Sequence, residues 1–342
     1  MWLGSDGEDP ERGPDSQPGA GDHEADDSPV PAQEESPDTA PPAGEQPAFG
    51  ADGPVDWLEL GVDLIVLNGD GTLEVLTADG DRRVLADGLP DATALRLAAD
   101  EQGGVVWQAV DNSADVVHVD SRGQANVLWP VGPDERIALV GFDEGSNSAL
   151  VVRSVGTNPD DTTGDLLAVP LDGGPPTVVR EGITAWESGI SFAAIGPRTL
   201  LYGLFDAAFE GVFVWPDGVG EPALLLEAGE LTGEYIRGVT IADASTGVVL
   251  VEAAAGFPER PAARLLLVDL DRGEAAKELP VPADITEGDP WHVPRDVSAA
   301  GGFVLINRYA EGTWLAPLVY DLASGGWAVL DGVNGRAFLH GP

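Results

Sequence analysis

The sequence predicts an all-β fold made of repeated small sheets, and three observations carry that reading. Apolar runs are short, rich in Val, Leu and Ile, and bounded by Gly, Asp, Asn and Pro, as in Leu64-Ile65-Val66-Leu67 and Phe303-Val304-Leu305-Ile306. Stretches with helical length and period are scarce. An alternating apolar strand running into an Asp/Gly turn recurs along the chain, closing at Gly80, Gly123, Gly173, Gly218, Gly273 and Gly325, about one turn every 49 residues.

Taken in order, the chain divides near residue 54. Residues 1–54 hold 14 acids and a single base, Arg12, and their only Leu, Val, Ile or Phe residues are Leu3, Val30 and Phe49. So little apolar surface cannot offset the entropy of ordering, so a disordered, acidic, Pro/Gly/Ala-rich linker is expected over 1–54. No basic and apolar leader opens the chain, and no apolar run reaches the length of a membrane-spanning helix. An acidic Pro-rich segment before an all-β domain is the pattern of a stalk behind an anchor. The expectation is therefore the cell envelope or an extracellular site if an anchor or signal precedes Met1, and the cytoplasm otherwise.

Residues 55–342 carry the repeat. Before each turn sits a second strand: Leu64 to Leu67, Val105 to Gln108, Ala149 to Arg153, Leu200 to Gly203, Val248 to Glu252 and Phe303 to Asn307. After each turn comes an outer strand, such as Arg83 to Leu85, Ala125 to Leu128 and Trp327 to Leu330. Inner strands read Ala94 to Ala98, Ile137 to Gly141, Ile190 to Ala194, Val239 to Ala242 and Val293 to Ser298. The inner strand of the first unit is either Trp57-Leu58-Glu59-Leu60 or the C-terminal Arg336-Ala337-Phe338-Leu339. The C-terminal choice is favoured, because it closes a ring and leaves no open edge. A four-stranded sheet cannot bury both faces alone, whereas radial stacking buries them against neighbours. The prediction is a six-bladed β-propeller, with seven blades as runner-up. On this strand spacing and these Asp/Gly turns, residues 55–342 resemble the TolB-like or WD40-like β-propeller repeat proteins. The Gly-His and Trp-Asp signatures of true WD40 repeats and the sialidase Asp-box are absent.

Composition removes several functions. The chain has 59 acidic and 17 basic residues, for a net charge of −42, and no Cys. Thiolate metal sites, disulfides and catalytic thiols are excluded, and nucleic acid is disfavoured because its phosphates need clustered cations. The sole lysine, Lys277, lies in no phosphate-binding loop, and no Gly-x-Ser-x-Gly nucleophile turn occurs. The histidines His23, His118, His292 and His340 show no zinc spacing. His118, alternating within a strand, reads as a satisfied structural side chain.

Two acidic loops are candidate cation sites. Asn68-Gly69-Asp70-Gly71 is expected to be a tight hairpin, since Asn-Gly and Asp-Gly supply positive φ. Asn158 to Asp165 is a longer insertion offering Asp160, Asp161 and Asp165, hard oxygen donors of the kind Ca²⁺ accepts. A solvated loop is the preferred reading there, with no cofactor expected and Ca²⁺ as the one ion considered.

What remains is the axial face. Connections entering the inner strands carry Asp91, Asp134, Arg136, Trp186, Glu187, Tyr235, Arg237, Trp291, His292, Arg295 and Arg336, and the neighbouring loops carry Phe205, Phe209, Phe257, Arg260, Arg308 and Tyr309. Aromatics and arginine concentrate binding energy at interfaces. The expected binding set is Arg136, Trp186, Glu187, Tyr235, Arg237, Trp291, His292, Arg295 and Arg336. The leading expectation is a non-enzymatic, monomeric binding or scaffold module for a protein, peptide or glycan. Its alternative is a calcium-dependent propeller hydrolase of lactonase or esterase type, with Asp91, Asp134 and Glu187 as the nearest acidic ligands.

Overall fold

The computed structural model describes residues 49, 53–90, 95–100, 102–109, 114–143, 145–155, 163–184, 189–197, 199–205, 210–216, 221–229, 232–253, 263–282, 293–310 and 312–340. These belong to one compact unit, Gln46–Pro342. It is all-β, with a propeller-like succession of antiparallel sheets.

After β1 (Val55–Asp56), the first sheet takes β2 (Asp63–Asn68), β3 (Leu73–Leu76) and β4 (Arg82–Ala86). The second is β5 (Leu95–Ala99), β6 (Val105–Ala109), β7 (Val116–Val119) and β8 (Ala125–Trp129). Next come β9 (Glu135–Asp143), β10 (Ser148–Val155), β11 (Thr163–Pro170) and β12 (Thr177–Thr184), then β13 (Gly189–Ile195), β14 (Thr199–Phe205), β15 (Glu210–Pro216) and β16 (Ala223–Ala228). These two meanders join into one eight-stranded sheet through a short parallel contact that pairs Gly141 with Ala193 and Phe142 with Ala194. A four-stranded sheet follows, β17 (Glu234–Ile241), β18 (Thr246–Ala253), β19 (Ala263–Asp269) and β20 (Glu274–Pro280). Last are β21 (Val293–Ala300), β22 (Phe303–Ala310), β23 (Thr313–Asp321) and β24 (Trp327–Asp331), with β1 added parallel on β24.

The chain then returns. The C-terminal strand β25 (Gly335–His340) pairs antiparallel with β2 from Asp63↔His340 to Asn68↔Gly335, completing the first sheet in the order β25-β2-β3-β4. The competing segment Trp57–Leu60 is a 3-10 helix. The strand favoured from the sequence is thus the one found, and a capping box sets the alternative aside: Asp56 Oδ1 accepts the Leu58 N–H at 3.0 Å, and Glu59 reaches back to the Asp56 N–H at 3.4 Å.

Continuous apolar runs follow from burial on both faces of each sheet. Leu64, Ile65, Val66 and Leu67 are all buried, yet alternate residues serve different clusters. Leu64 and Val66 pack with Leu305, Val319 and Leu330 of the last sheet, while Ile65 and Leu67 pack with Val105 and Val119 of the second. Other clusters repeat this between consecutive sheets, as where Leu250 and Leu265 meet Val304 and Ile306. The core is thus distributed among the sheet interfaces. Phe49 joins it as well, with its ring 5.6 Å from that of Phe303.

The recurring turns at Gly80, Gly123, Gly173, Gly273 and Gly325 link the third and fourth strands of a sheet, and Gly218 lies outside the described residues. At Gly123, φ is 80° and its N–H reaches the Asp120 carbonyl at 2.8 Å. The Asp120 carboxylate accepts the N–H groups of Arg122 and Gln124. That division of labour explains the pairing of Asp with Gly: one supplies a local acceptor, the other tolerates left-handed backbone. The Asn68–Gly71 segment is the expected hairpin, with Gly71 at φ 83° and its N–H bonded to the Asn68 carbonyl.

Candidate functional site

The inner strands converge on an axial cavity of about 190 Å³. Segments of β5, β9, β13, β17, β21 and β25 line it, among them Ala98, Gly141, Ser191, Ala194, Gly238 and Ser298. Small residues are required because the strands approach closely there. A Cβ on Gly141 would fall 1.9 Å from the Ala193 carbonyl oxygen, the point where β9 and β13 touch.

Two buried amides stitch second strands to the inner strand of the next sheet. Gln108 on β6 donates to the carbonyls of Ala114 and Ile137 at 2.9 and 2.8 Å, and its Oε1 accepts the Leu139 N–H at 2.8 Å. Asn307 on β22 does the same for β25: its Nδ2 donates to the Ala337 carbonyl at 2.7 Å and its Oδ1 accepts the Ala337 N–H at 2.8 Å. Asn307 also donates to Asp296, which accepts a further hydrogen bond from Arg336 Nε at 2.5 Å. The Arg336 guanidinium lies over Phe338 at 5.3 Å. Arg336 and Asp296 both line the cavity, so this corner carries a neutralised ion pair held by an amide.

Of the residues expected on the axial face, Arg336 alone among those described lines the cavity. Tyr235 and Arg237 precede the cavity-lining stretch of β17; Arg237 donates to Glu252 on β18 and covers the Tyr235 ring at 5.7 Å. Arg136 lies near the start of β9, opposite Ser154. Arg295 falls within β21. Trp186, Glu187, Trp291 and His292 lie outside the described residues.

Asp160 and Asp161 also lie outside them. Asp165 sits within β11 instead of a loop, paired with Arg153 in register, and its Oδ1 accepts the Gly182 N–H at 3.0 Å. Among the described residues no group of three or more His, Asp or Glu side chains is arranged to hold a metal ion. Among the acidic residues considered for the hydrolase reading, Asp134 is exposed in the turn before β9, and Asp91 lies outside the described set.

His118 is tied to a buried carboxylate. Its Nε2 is 2.6 Å from Asp100 Oδ2, while Asp100 Oδ1 accepts the N–H groups of Gln102 and Gly104. Burial opposes the charge on Asp100, but the His118 ring and the two backbone donors outweigh it and hold the pKa below the usual carboxylate value. Burial pushes Glu210 the other way, raising its pKa against a hydrogen bond from the Ile236 N–H.

The expected set omits two charged residues of the cavity, Asp296 and Arg96. Arg96, the second residue of β5, lines the cavity directly, and burial lowers its pKa with no carboxylate contributing. In sequence it sits in Ala94-Leu95-Arg96-Leu97-Ala98. A lone charge flanked by small and apolar residues in an inner strand was the available signal.

No protein-family model matches the chain, and no curated protein matches its sequence. Solved structures do. A chain from TolB of Acinetobacter baumannii aligns at a TM-score of 0.51 and 13% identity, over 81% of this chain and 65% of that one. A chain of the nidogen/laminin complex aligns at a TM-score of 0.50 and 12% identity, over 82% and 93%. A protein of unknown function from Bacteroides caccae aligns at 0.50 and 16% identity, over 82% and 98%. At such identities the likeness is one of fold alone.

Proposed function

We propose that the chain is a non-enzymatic binding module: a propeller of six blades that presents its axial face to a protein, peptide or glycan. Six blades follow if the eight-stranded sheet is counted as two meanders touching at Gly141 and Ala193. The observation that carries the binding reading is the axial cavity itself, walled by inner strands and lined by two arginines, Arg96 and Arg336. Concave sites with a few placed polar groups in mostly apolar walls are the usual form of a ligand site. The similarity to TolB and to a chain of the nidogen/laminin complex supports the propeller and leaves its use open. The location expected from the sequence belongs to the same proposal: the cell envelope or an extracellular site if an anchor or signal precedes the chain, and the cytoplasm otherwise.

The test is partner capture by the full chain, compared with Arg237→Ala and Trp186→Ala. A partner lost from both folded variants supports the face as the binding surface; a partner held undiminished by both removes it. The calcium-dependent hydrolase makes a separate prediction. A rise in melting temperature with Ca²⁺ but not Mg²⁺, at matched ionic strength, together with turnover of an ester or lactone, would replace the module reading.

A further inference from the structure

Arg96 is, among the described residues, a cation without a partner in a molecule overloaded with anions. Among the described residues it makes no hydrogen bond, ion pair or ring contact. Its neighbour across the strand pair is Gln108, whose carboxamide is already committed to three backbone groups. By contrast Arg336, in the same cavity, is neutralised by Asp296, and Arg153, Arg264 and Arg272 each hold a carboxylate. In a chain with 59 acidic residues, a half-buried guanidinium that pairs with none of the described carboxylates is a specific arrangement.

Physical chemistry narrows what it awaits. A guanidinium does not shed its proton at any ordinary pH, so the charge stays in the cavity. Keeping such a charge away from bulk water without a counter-ion is costly. An incoming anion removes that cost. The planar fork of an arginine matches a carboxylate with two parallel hydrogen bonds. A single negative charge balances Arg96 fully, whereas a phosphate dianion would leave excess charge near Asp296 and inside a chain of net charge −42. The cavity, at about 190 Å³, compares with roughly 30 Å³ for a water molecule in the liquid, so it admits a small molecule or one end of a larger one. Its walls add apolar surface from Leu97, Phe192 and Phe338 and the hydroxyls of Ser191 and Thr240.

We propose that the axial cavity is a carboxylate site, in which Arg96 grips the anionic end of a small organic acid and the aromatic and aliphatic walls enclose its body. This rests on the axial-face reading above and gives it a ligand class.

The experiment titrates the full chain with benzoate at constant ionic strength, set with sodium chloride, and follows binding by calorimetry and arginine Nε–H resonances. Benzamide is the neutral control and inorganic phosphate the competing anion. Expected is saturable benzoate binding that shifts one arginine resonance, with benzamide and phosphate at least tenfold weaker, about 1.4 kcal/mol. Arg96→Gln abolishes the binding and removes that resonance. Should Arg96→Gln fail to fold, Arg96→Lys keeps the charge but not the fork, and at least about a tenfold loss of benzoate affinity is expected. No saturable benzoate binding, equal binding of benzamide, tighter binding of phosphate, or unchanged affinity in the folded variant would overturn the proposal. The readout sits inside the channel and needs no macromolecular partner. A failed titration with intact partner capture sinks the carboxylate site alone, and a successful titration with Arg237→Ala neutral sinks the face reading alone.

Discussion

Asn307 shows how much one side chain can organise. Its amide satisfies both backbone groups of Ala337 and also steadies the Asp296–Arg336 pair. Asn307→Ala leaves a buried N–H and a buried C=O without partners, so a loss of about 3 kcal/mol is expected by urea denaturation. Nothing in Phe303-Val304-Leu305-Ile306-Asn307 announces this, because the partner strand lies some 30 residues further on. The same holds for Arg96: alternation marks its face, but only the assembled walls show that, among the described residues, no carboxylate pairs with it. Asp100 gives a pH prediction at this scale. Its folded pKa is depressed, so the stabilisation is full above the unfolded value, near pH 4, and is lost as pH falls through the folded pKa. Acid melts of Asp100→Asn should therefore show a flatter fall in stability below about pH 4 than the parent, whose fall is steeper.

At the scale of the element, the Asp/Gly turns and strand spacing were legible because their causes are local. Positive φ demands glycine at the turn, and burial on both faces demands unbroken apolar runs. Helix against strand at Trp57–Leu60 was not legible from apolar content, since Asp56 and Glu59 decide it by capping. The glycine at the β9–β13 contact is invisible for another reason: its need arises only when two inner strands meet. Gly141→Ala would drive a methyl group into the Ala193 carbonyl, so a loss of at least about 2 kcal/mol and a lower melting temperature are expected, with Gly174→Ala, in a surface turn, as the contrasting variant. The axial-face residues were the least legible of all. Their distance from the cavity depends on where along each inner strand the channel narrows, and this placed Arg336 in the wall but Tyr235 and Arg237 ahead of it.

For the whole molecule, charge is the dominant long-range term. A net charge of −42 on one chain repels itself, and salt relieves that repulsion without binding anywhere. Raising ionic strength from about 0.01 to 1 M shortens the screening length from about 30 to 3 Å, so the melting temperature should climb with sodium chloride and potassium chloride alike. Equal rises at equal ionic strength would identify screening; a flat response would remove self-repulsion as the dominant long-range term. The pairing of β2 with β25 acts at the same scale through time. Its partners stand about 270 residues apart, so at 5–20 residues per second the first sheet waits on the order of tens of seconds on the ribosome with its inner edge uncovered. During synthesis the most buried strand of that sheet, Leu64 to Leu67, offers open backbone groups to any passing strand, and nascent chains should be most prone to misassociate until His340 has emerged.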